Sequence, residues 1–318
     1  MNYIVFDLEW NQCPEGKSHM DKALPFEIIE IGAVKLNNEM QVIDEFNRII
    51  KPQVYKSIHH RTEEIIHLDV HDLDNGESFP IVAERFMKWC GTEVSFCTWG
   101  SLDLTEFQRN LKFFHLEHLL VGPIYFYDVQ KIFSIRYEDT KTRRSLEYAV
   151  DFLKIDKAEE FHRAYADSYY TAMVMKHLPG EYLTKNYSID YYNNPKSRNE
   201  EIYVKYEKYS KYISREFDSK ELAMEDRQVV STKCFLCNTN ARKKSRWFSA
   251  NNNIYYSIAY CRSHGYLKGK LRMKKTDDGK VYCVKTIKLI NLAEVQRIID
   301  KKKMIQLKRK IKRQGEVQ

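Results

Sequence analysis

The sequence predicts an α/β fold in which helices flank a mixed β-sheet, followed by a smaller and strongly basic region. Three early runs, at residues 3–9, 27–35 and 42–50, are rich in the β-branched and aromatic residues typical of strands. A polar turn at Asn37–Glu39 separates the second run from the third. Beyond residue 80, predicted helices alternate with short strands. Strands first and alternation afterwards indicate a mixed sheet with helices packed on its faces.

Each later element has its own local signal. Pro80 begins an amphipathic helix, a position where its missing N–H costs nothing, and Pro179-Gly180 ends the last helix of this half. We predict helices at 80–90, 145–153 and 163–177, a further helix with Leu104, Phe107 and Leu111 in register, and strands at 94–98 and 125–129.

Charge divides the chain into two unequal halves. Residues 1–180 contain 20 Lys and Arg against 29 Asp and Glu, a net charge of −9, whereas residues 181–318 contain 32 against 15, a net charge of +17. An acidic core joined to a basic region suits a protein that binds a polyanion, although a merely solvated basic end would have the same composition. We predict four parts: a core domain at 1–180, a charged and partly helical linker at 181–227, a metal-binding module at 228–290 and a basic amphipathic helix at 291–318.

Composition argues against secreted and membrane-spanning classes of protein. The chain is 43% hydrophobic and 30% charged, and no apolar stretch approaches the length of a membrane-spanning helix. Seven cysteines at uneven spacing do not resemble a disulfide framework, and an acidic start is unlike a signal peptide. We therefore expect a cytoplasmic protein without a membrane partner.

The first strand ends in two carboxylates, Asp7 and Glu9, one residue apart. Because side chains alternate between the faces of a strand, both point to the same side. Two neighbouring anions favour a cation between them, and their hard oxygen ligands suit Mg²⁺ or Mn²⁺. Solvated loop acids would show the same pattern, so the pair needs support from elsewhere in the chain.

That support comes from three later residues. Asp103 follows a predicted strand at the start of a helix, while His162 and Asp167 lie at the start of another helix. Asp103 also suits a simple helix N-cap, a role that does not conflict with metal binding. Four carboxylates can hold two hard cations, and an imidazole has a pKa suited to taking a proton from water. This donor set is typical of two-metal phosphodiester hydrolysis.

The order Asp-x-Glu, Asp and His-x-x-x-x-Asp resembles the DEDDh 3′–5′ exonucleases over about residues 1–180. The segments Glu30–Val34 and His60–Ile65 also follow patterns of that family. The resemblance implies a ribonuclease-H-like fold and release of nucleoside monophosphates from a 3′ end. It makes His162 the general base, and it assigns two Mg²⁺ or Mn²⁺ ions to the metal ligands Asp7, Glu9, Asp103 and Asp167.

The sequence departs from that family beside the first motif. Trp10-Asn11-Gln12 stands where many members have Thr or Met and then Gly. Leu8, Trp10 and Phe107 are nevertheless expected to bind substrate. The first two strands look most like the branch that trims structured and small RNAs, the enhancer-of-RNAi type of exoribonuclease. We therefore expect single-stranded or 3′-overhanging RNA, rather than DNA, as the substrate. A DNA exonuclease of repair or proofreading, and an inactive nucleic-acid-binding adaptor, are the alternatives.

A second metal site is predicted in the basic half. Cys234 and Cys237, and then Cys261 and His264 after 23 intervening residues, form two pairs with the spacing of a structural zinc site. The pattern resembles a zinc ribbon, with residues 254–260 as one strand. Cys283 is the alternative to His264 as the fourth ligand.

Basic and aromatic residues surround the predicted zinc site. They suit contacts to phosphates and bases, and those expected to bind substrate are Arg242, Lys243, Lys244 and Arg246. Tyrosines also alternate with lysines at 203–212, a pattern that suits either single-stranded nucleic acid or a linker helix packed through its rings. The linker helix is the favoured interpretation.

Overall fold

The structure is a computed structural model that describes residues 1–66, 70–139, 141–157 and 161–315. The last three residues of the predicted basic helix, 316–318, lie outside the described residues. The chain divides into two compact units, Met1–Asn193 and Asn194–Gln318.

The first unit contains a six-stranded mixed sheet. Its strands are β1 (Asn2–Asn11), β2 (Glu27–Leu36), β3 (Val42–Ile49), β4 (Val94–Thr98), β5 (Ile124–Asp128) and β6 (Ser188–Asp190). Their order across the sheet is β3-β2-β1-β4-β5-β6. β1 pairs antiparallel with β2 and parallel with β4, so the predicted mixed sheet is confirmed.

Helices cover both faces of this sheet. They are α1 (His60–Ile65), α2 (Val70–Asp74), α3 (Phe79–Cys90), α4 (Leu102–Phe113), α5 (Val129–Tyr137), α6 (Leu146–Leu153), α7 (Ala164–Lys176) and α8 (Gly180–Asn186). Residues of α3 and α4 share one apolar core with the sheet, and residues of α5, α6 and α7 share the other.

Alternation along β1 decides which layer each side chain enters. Phe6 is fully buried in the core with α3 and α4, and its ring lies 5.8 Å from that of Phe86 and 6.1 Å from that of Phe107. Val5 lies in the core on the α7 side. Burial of a ring such as Phe6 contributes about 1.5–3 kcal/mol to stability. Asp7 shares the face of Val5 and therefore points toward the α7 layer.

The second unit is a separate six-stranded antiparallel sheet. Its strands are β7 (Ile202–Lys205), β8 (Tyr209–Ile213), β9 (Arg242–Ser249), β10 (Ile254–Cys261), β11 (Gly265–Lys275) and β12 (Val281–Leu289), in the order β7-β8-β12-β11-β10-β9. Two helices accompany it, α9 (Lys220–Glu225) and α10 (Leu292–Gly315). The strand predicted at 254–260 corresponds to β10.

Residues 181–227 are not an independent linker helix in the structure. Their first part forms most of α8 and the edge strand β6 of the first unit, and the tyrosine-rich part forms β7 and β8 of the second. The three-residue spacing of the tyrosines suggested a helix, but pairing of β8 with β12 places Tyr212 and Ile213 in a sheet. Such long-range pairing overrides local periodicity.

The basic helix predicted at the end of the chain corresponds to α10. Val295 and Ile298 are buried against Ile258 of β10, and most of the basic residues from Lys301 to Lys310 are exposed. Among the described residues, no helix combines the length and apolar character needed to cross a membrane.

Candidate functional site

Three acidic side chains meet at the centre of the first sheet. Asp7 and Glu9 of β1 and Asp167 of α7 each offer a carboxylate oxygen, and these three atoms lie within 4.8 Å of one another. The alternation of β1 places the first two side by side, as predicted. The third reaches them because the first turn of α7 lies directly over the neighbouring strand β2.

The close approach of α7 depends on Gly32, which lies opposite Asp7 in the β1–β2 pairing. A Cβ atom at Gly32 would lie 2.1 Å from the carbonyl carbon of Ala164 and 2.1 Å from the backbone nitrogen of Tyr165. Only a residue without a side chain permits this approach. Gly32 therefore sets the distance between Asp167 and the acids of β1.

A buried ion pair fixes the start of α7. Glu30 of β2 is fully buried, and its carboxylate accepts hydrogen bonds from Arg163 Nε at 3.1 Å and Arg163 Nη2 at 2.9 Å. The backbone N–H of Ala164 donates to the same carboxylate at 3.4 Å. A bidentate pair of this kind fixes orientation as well as distance. Glu30 and Arg163 thus position the segment that carries His162 and Asp167.

The role of Arg163 was not predicted from the sequence. The signal was the acid Glu30 inside an otherwise apolar strand, because a buried carboxylate requires a partner.

Asp103 lies in the first turn of α4 beside the other three acids. Burial raises the pKa of Asp103 to about 7, although its own backbone N–H and that of Leu8, just past the end of the β1–β4 pairing, favour the charged form. Asp103 is close enough to raise the pKa of Asp7, although it is not within the three-carboxylate group.

The carboxylates of the site have raised pKa values because burial and mutual repulsion disfavour their charged forms. Burial, followed by the charges of Asp103, Glu9 and Asp167, raises the pKa of Asp7 well above its usual range. Burial and the neighbouring acids raise the pKa of Glu9 to about 8. Such a site favours a bound cation, which would replace protons.

The donor set fits divalent metal ions. Oδ1 of Asp167 is buried, and no described residue donates a hydrogen bond to it. A buried acceptor without a donor costs free energy, which a cation would recover. Carboxylate oxygens are the ligands that Mg²⁺ and Mn²⁺ prefer.

His162 lies at the surface, immediately before the residue that caps α7. Its φ angle of 68° is in the left-handed region, which is uncommon for a histidine. The charge of His162, followed by its backbone N–H, lowers the pKa of the Asp167 carboxyl and partly offsets the effect of burial. The pKa of Asp167 is nevertheless raised to about 6. The exposed ring of His162 is accessible to water beside the carboxylates.

Residues next to the first motif tie β1 to the following loop. The Trp10 ring is partly buried, with its centroid 5.5 Å from that of Phe26. The Thr62 hydroxyl donates to the Trp10 carbonyl at 3.4 Å. Asn11 is fully buried, and its amide donates to the carbonyls of Tyr55 at 3.0 Å and Ser57 at 2.9 Å. These contacts hold the end of β1 in place, and Trp10 lies there next to Glu9.

Two residues expected to bind substrate belong instead to the core. Phe107 is fully buried and Leu8 is 2% exposed, both in the core shared with α3 and α4. Leu8 lies on the opposite face of β1 from Asp7 and Glu9, and a side chain without exposed surface has none to offer a ligand. The structure thus corrects both expectations for these side chains.

The second unit contains a cysteine and histidine cluster with the geometry of a zinc site. Ligand atoms of Cys234, Cys237, Cys261 and His264 all lie within 4.8 Å of one another. The Sγ atoms of Cys237 and Cys261 are 3.6 Å apart, and Nδ1 of His264 is 3.6 Å from the Sγ atoms of both Cys234 and Cys261. Tetrahedral zinc separates such ligand atoms by roughly 3.5–3.8 Å. These residues could therefore hold zinc.

The alternative ligand Cys283 lies elsewhere. Its Sγ contacts Sδ of Met273 at 3.2 Å in a different apolar cluster of the same sheet. The Cys237 thiol is better suited to metal binding, because the Thr239 hydroxyl 3.0 Å away helps to lower its pKa to about 6. The fourth member of the cluster is His264.

The predicted basic contacts lie on the edge strand of the second sheet. Arg242, Lys243, Lys244 and Arg246 are all exposed on β9. Charged residues on an edge strand also discourage pairing with other chains, so this location alone does not establish a role in binding.

Comparison with known proteins identifies the first unit. The family model described as Exonuclease, RNase_T, matches residues 4–175, somewhat more than half of the chain. A comparison with curated protein sequences found no match. The matched segment includes the four acidic residues and the histidine of the site.

Solved structures of nucleases are similar to this chain at low sequence identity. The nuclease domain of 3′hExo, described as a DEDDh family member bound to rAMP, is 18% identical with a TM-score of 0.50, and the match covers 59% of this chain and 96% of that one. A 3′-exonuclease that recognises the histone mRNA stem-loop is 19% identical with a TM-score of 0.47, covering 55% of this chain and 62% of that chain's length. E. coli exonuclease I in complex with a dA16 oligonucleotide is 15% identical with a TM-score of 0.43, and the match covers 57% of this chain and 42% of that one.

Proposed function

This chain belongs to the exonuclease family whose model it matches, and on that premise we propose that it is a DEDDh enzyme that removes nucleoside monophosphates from the 3′ end of nucleic acid, with RNA as the preferred polymer. The chemistry is hydrolysis of a phosphodiester bond with two Mg²⁺ or Mn²⁺ ions. The enzyme class follows from the family, whereas the direction, the metals and the polymer are our proposals.

The convergence of acids around Asp7 supports this proposal most directly. Asp7, Glu9 and Asp167 come from two separate elements yet offer oxygens within 4.8 Å, with Asp103 beside them. Two features of the site are energetically unfavourable without a ligand: the acids have raised pKa values, and Oδ1 of Asp167 accepts no hydrogen bond from a described residue. A purely structural role would not require such an arrangement. Bound divalent cations would offset both unfavourable contributions.

We assign one role to each group. Asp7, Glu9, Asp103 and Asp167 would hold the two cations, which when bound supply positive charge at the attacking and leaving oxygens. His162 would take the proton from the attacking water, because its ring is exposed and it lies close enough to Asp167 to lower the pKa of that carboxyl. Arg163 and Glu30 hold this segment in place and do not touch the substrate.

The zinc cluster has a structural role in this proposal. Cys234, Cys237, Cys261 and His264 would bind one Zn²⁺ with no position left for water, which is the pattern of a closed structural site. The metal would join the Cys234–Cys237 loop to the Cys261–His264 turn and so stabilise the second unit.

Degradation of end-labelled oligonucleotides tests the function. RNA and DNA of matched sequence, labelled at the 5′ end, are incubated with the protein in Mg²⁺ and in Mn²⁺, both single-stranded and with 3′ overhangs. We expect a ladder that shortens from the 3′ end, faster on RNA, and no ladder with the Asp7→Asn variant. Faster loss of DNA would reassign the polymer to DNA. A folded wild-type protein that degrades neither polymer in either metal would contradict the proposal.

A further inference from the structure

A row of cations lies on one face of the second sheet. Lys268, Lys270 and Arg272 alternate along β11, and their neighbours Leu267, Leu271 and Met273 point into apolar clusters on the other face. Each of these cations has a partner on the neighbouring strand β12: Lys268 lies opposite Lys288, Lys270 opposite Thr286, and Arg272 opposite Val284. These six residues line a groove of about 300 Å³, which we call the basic groove.

Charge in the basic groove is only partly neutralised. Glu294 at the start of α10 lies 2.7 Å from Lys268 Nζ and 3.5 Å from Lys288 Nζ. Across the part of the chain that the structure describes, no carboxylate forms an ion pair with Lys270 or Arg272. The pKa of Lys270 is lowered, first by burial and then by the charges of its cationic neighbours. Positive charge therefore accumulates at the Lys270–Arg272 end of the groove.

Helix α10 adds a further cation beside the groove. Lys301 Nζ lies 4.8 Å from the centroid of the Tyr256 ring, and Lys268 Nζ lies 5.4 Å from the same centroid. Tyr256 pairs with Lys270 across β10 and β11, so its ring is on the same face of the sheet. The ring holds both ammonium groups through cation–π contacts. Tyr256 of β10 and Lys301 of α10 therefore flank the groove that β11 and β12 form.

We propose that the basic groove binds the sugar-phosphate backbone of single-stranded nucleic acid, a site distinct from the exposed edge strand β9. Alternate residues of a strand are about 6.8 Å apart, so β11 presents cations at regular intervals along a line. A polymer with a regularly repeating charge matches such a row better than the irregular acids of a globular protein. The Thr286 hydroxyl can donate a hydrogen bond to a phosphate oxygen. This inference rests on the proposed function, because it supplies a second binding surface for the same substrate.

Binding measurements with charge-neutral variants test the groove. Fluorescence anisotropy follows labelled single-stranded RNA and DNA of equal length across a salt series, in an Asp7→Asn background that prevents hydrolysis. Loss of two phosphate contacts in Lys270→Gln/Arg272→Gln is expected to weaken binding about 10-fold at ~0.1 M salt and to lower the salt slope by about 1.4. The matched control Arg227→Gln/Lys275→Gln removes two exposed cations outside the groove and should bind normally.

A variant with the opposite effect makes the test sharper. Glu294→Gln removes the acid that pairs with Lys268 and Lys288, so it should strengthen binding and raise the salt slope. Thermal melting confirms that each variant is folded. The proposal is overturned if the groove variant binds no worse than the control, or if a folded Glu294→Gln protein binds more weakly than its parent. Equal competition by polyglutamate of matched charge would overturn the assignment to nucleic acid.

The two proposals can fail separately. Hydrolysis is measured with the wild-type chain, whereas the groove is measured by binding to a variant that lacks a metal ligand. A ladder with wild type and unchanged binding by the groove variant would refute the groove alone. Weakened binding by the groove variant, without a ladder from wild type, would refute the exonuclease activity alone. Similar affinity for RNA and DNA would support recognition of the backbone itself.

Discussion

Replacing Gly32 with alanine is expected to inactivate the candidate site without removing any of its functional groups. The new methyl group would lie 2.1 Å from the backbone carbon of Ala164 and from the nitrogen of Tyr165. Both atoms belong to the first turn of α7, which also carries Asp167. The helix must therefore move away from β2, and Asp167 must move with it.

The size of the movement follows from the contact distance. Ordinary van der Waals contact begins at 3.4 Å, so a contact of 2.1 Å requires a separation of about 1.3 Å, the difference between the two. Metal ligands tolerate displacements of only about 0.2 Å, and a shift of about 1 Å in a catalytic group costs roughly 100-fold in rate. We expect kcat to fall at least ~100-fold. Overpacking should also lower the free energy of unfolding by about 1–3 kcal/mol.

The assay separates site geometry from folding. Single-turnover cleavage of a 5′-labelled RNA gives the rate at saturating Mn²⁺, and thermal melting gives the stability of the same preparation. Gly180→Ala is the matched control, because no atom lies within 4 Å of the Cβ position at Gly180 and its backbone is not in the left-handed region. That variant should retain both rate and stability.

A folded Gly32→Ala protein with a rate within a few-fold of wild type would refute this reasoning. It would show that α7 accommodates the methyl group without moving Asp167. Equal losses of rate in Gly32→Ala and Gly180→Ala would likewise show that the close approach at Gly32 is not the cause.

Three further predictions concern the ion pair, pH and zinc. Arg163→Gln leaves the buried Glu30 carboxylate without its ion-pair partner, so it should lower the free energy of unfolding by about 2 kcal/mol and also lower activity. Adding Glu30→Gln should restore part of the stability. If the two substitutions have purely additive effects in urea unfolding, the two residues are not directly coupled. The pKa of Glu9 is raised from 4.5 to about 8, so between these pH values the native state holds a proton that the unfolded state has released. Without Mg²⁺ or Mn²⁺ this group therefore makes stability fall as pH rises from about 4.5 to 8. Added Mg²⁺ should raise Tm more at pH 8.5 than at pH 5.5, and an equal gain at both pH values would contradict this prediction. Elemental analysis should find about one zinc per chain in wild type and in Cys283→Ser but little in Cys261→Ser, and zinc lost from Cys283→Ser alone would reverse the ligand assignment.

Local patterns were enough to predict much of the first unit. The alternation of β1 already places Asp7 and Glu9 on one face. Helix signals near His162 place Asp167 in the second turn of a helix, and the structure, in which α7 begins at Ala164, places it in the first turn. These inferences succeed because strand and helix periodicity depend on neighbours in sequence. The motif order then led to the exonuclease family, which the family model confirms.

Other features depended on contacts between distant residues. The burial of Leu8 and Phe107 in one core contradicted their expected contact with substrate, since nothing local decides which face a neighbouring helix will cover. The tyrosine-rich segment forms strands because β12 is available to pair with β8. The basic groove likewise needs β11 and β12 to pair, and the cation Lys301 reaches its side only because α10 packs nearby.

The sequence by itself determined which residues can do chemistry: the paired acids of β1, the later acids and histidine, and the two cysteine-containing pairs. Only the tertiary structure decided how these groups meet. It placed His264 rather than Cys283 beside Cys234, Cys237 and Cys261, joined Glu30 to Arg163, and brought α7 against Gly32 so that Asp167 reaches Asp7. The physical reason is that side-chain direction follows from local backbone geometry, whereas contact between elements depends on packing and on the space that each residue leaves for its neighbours.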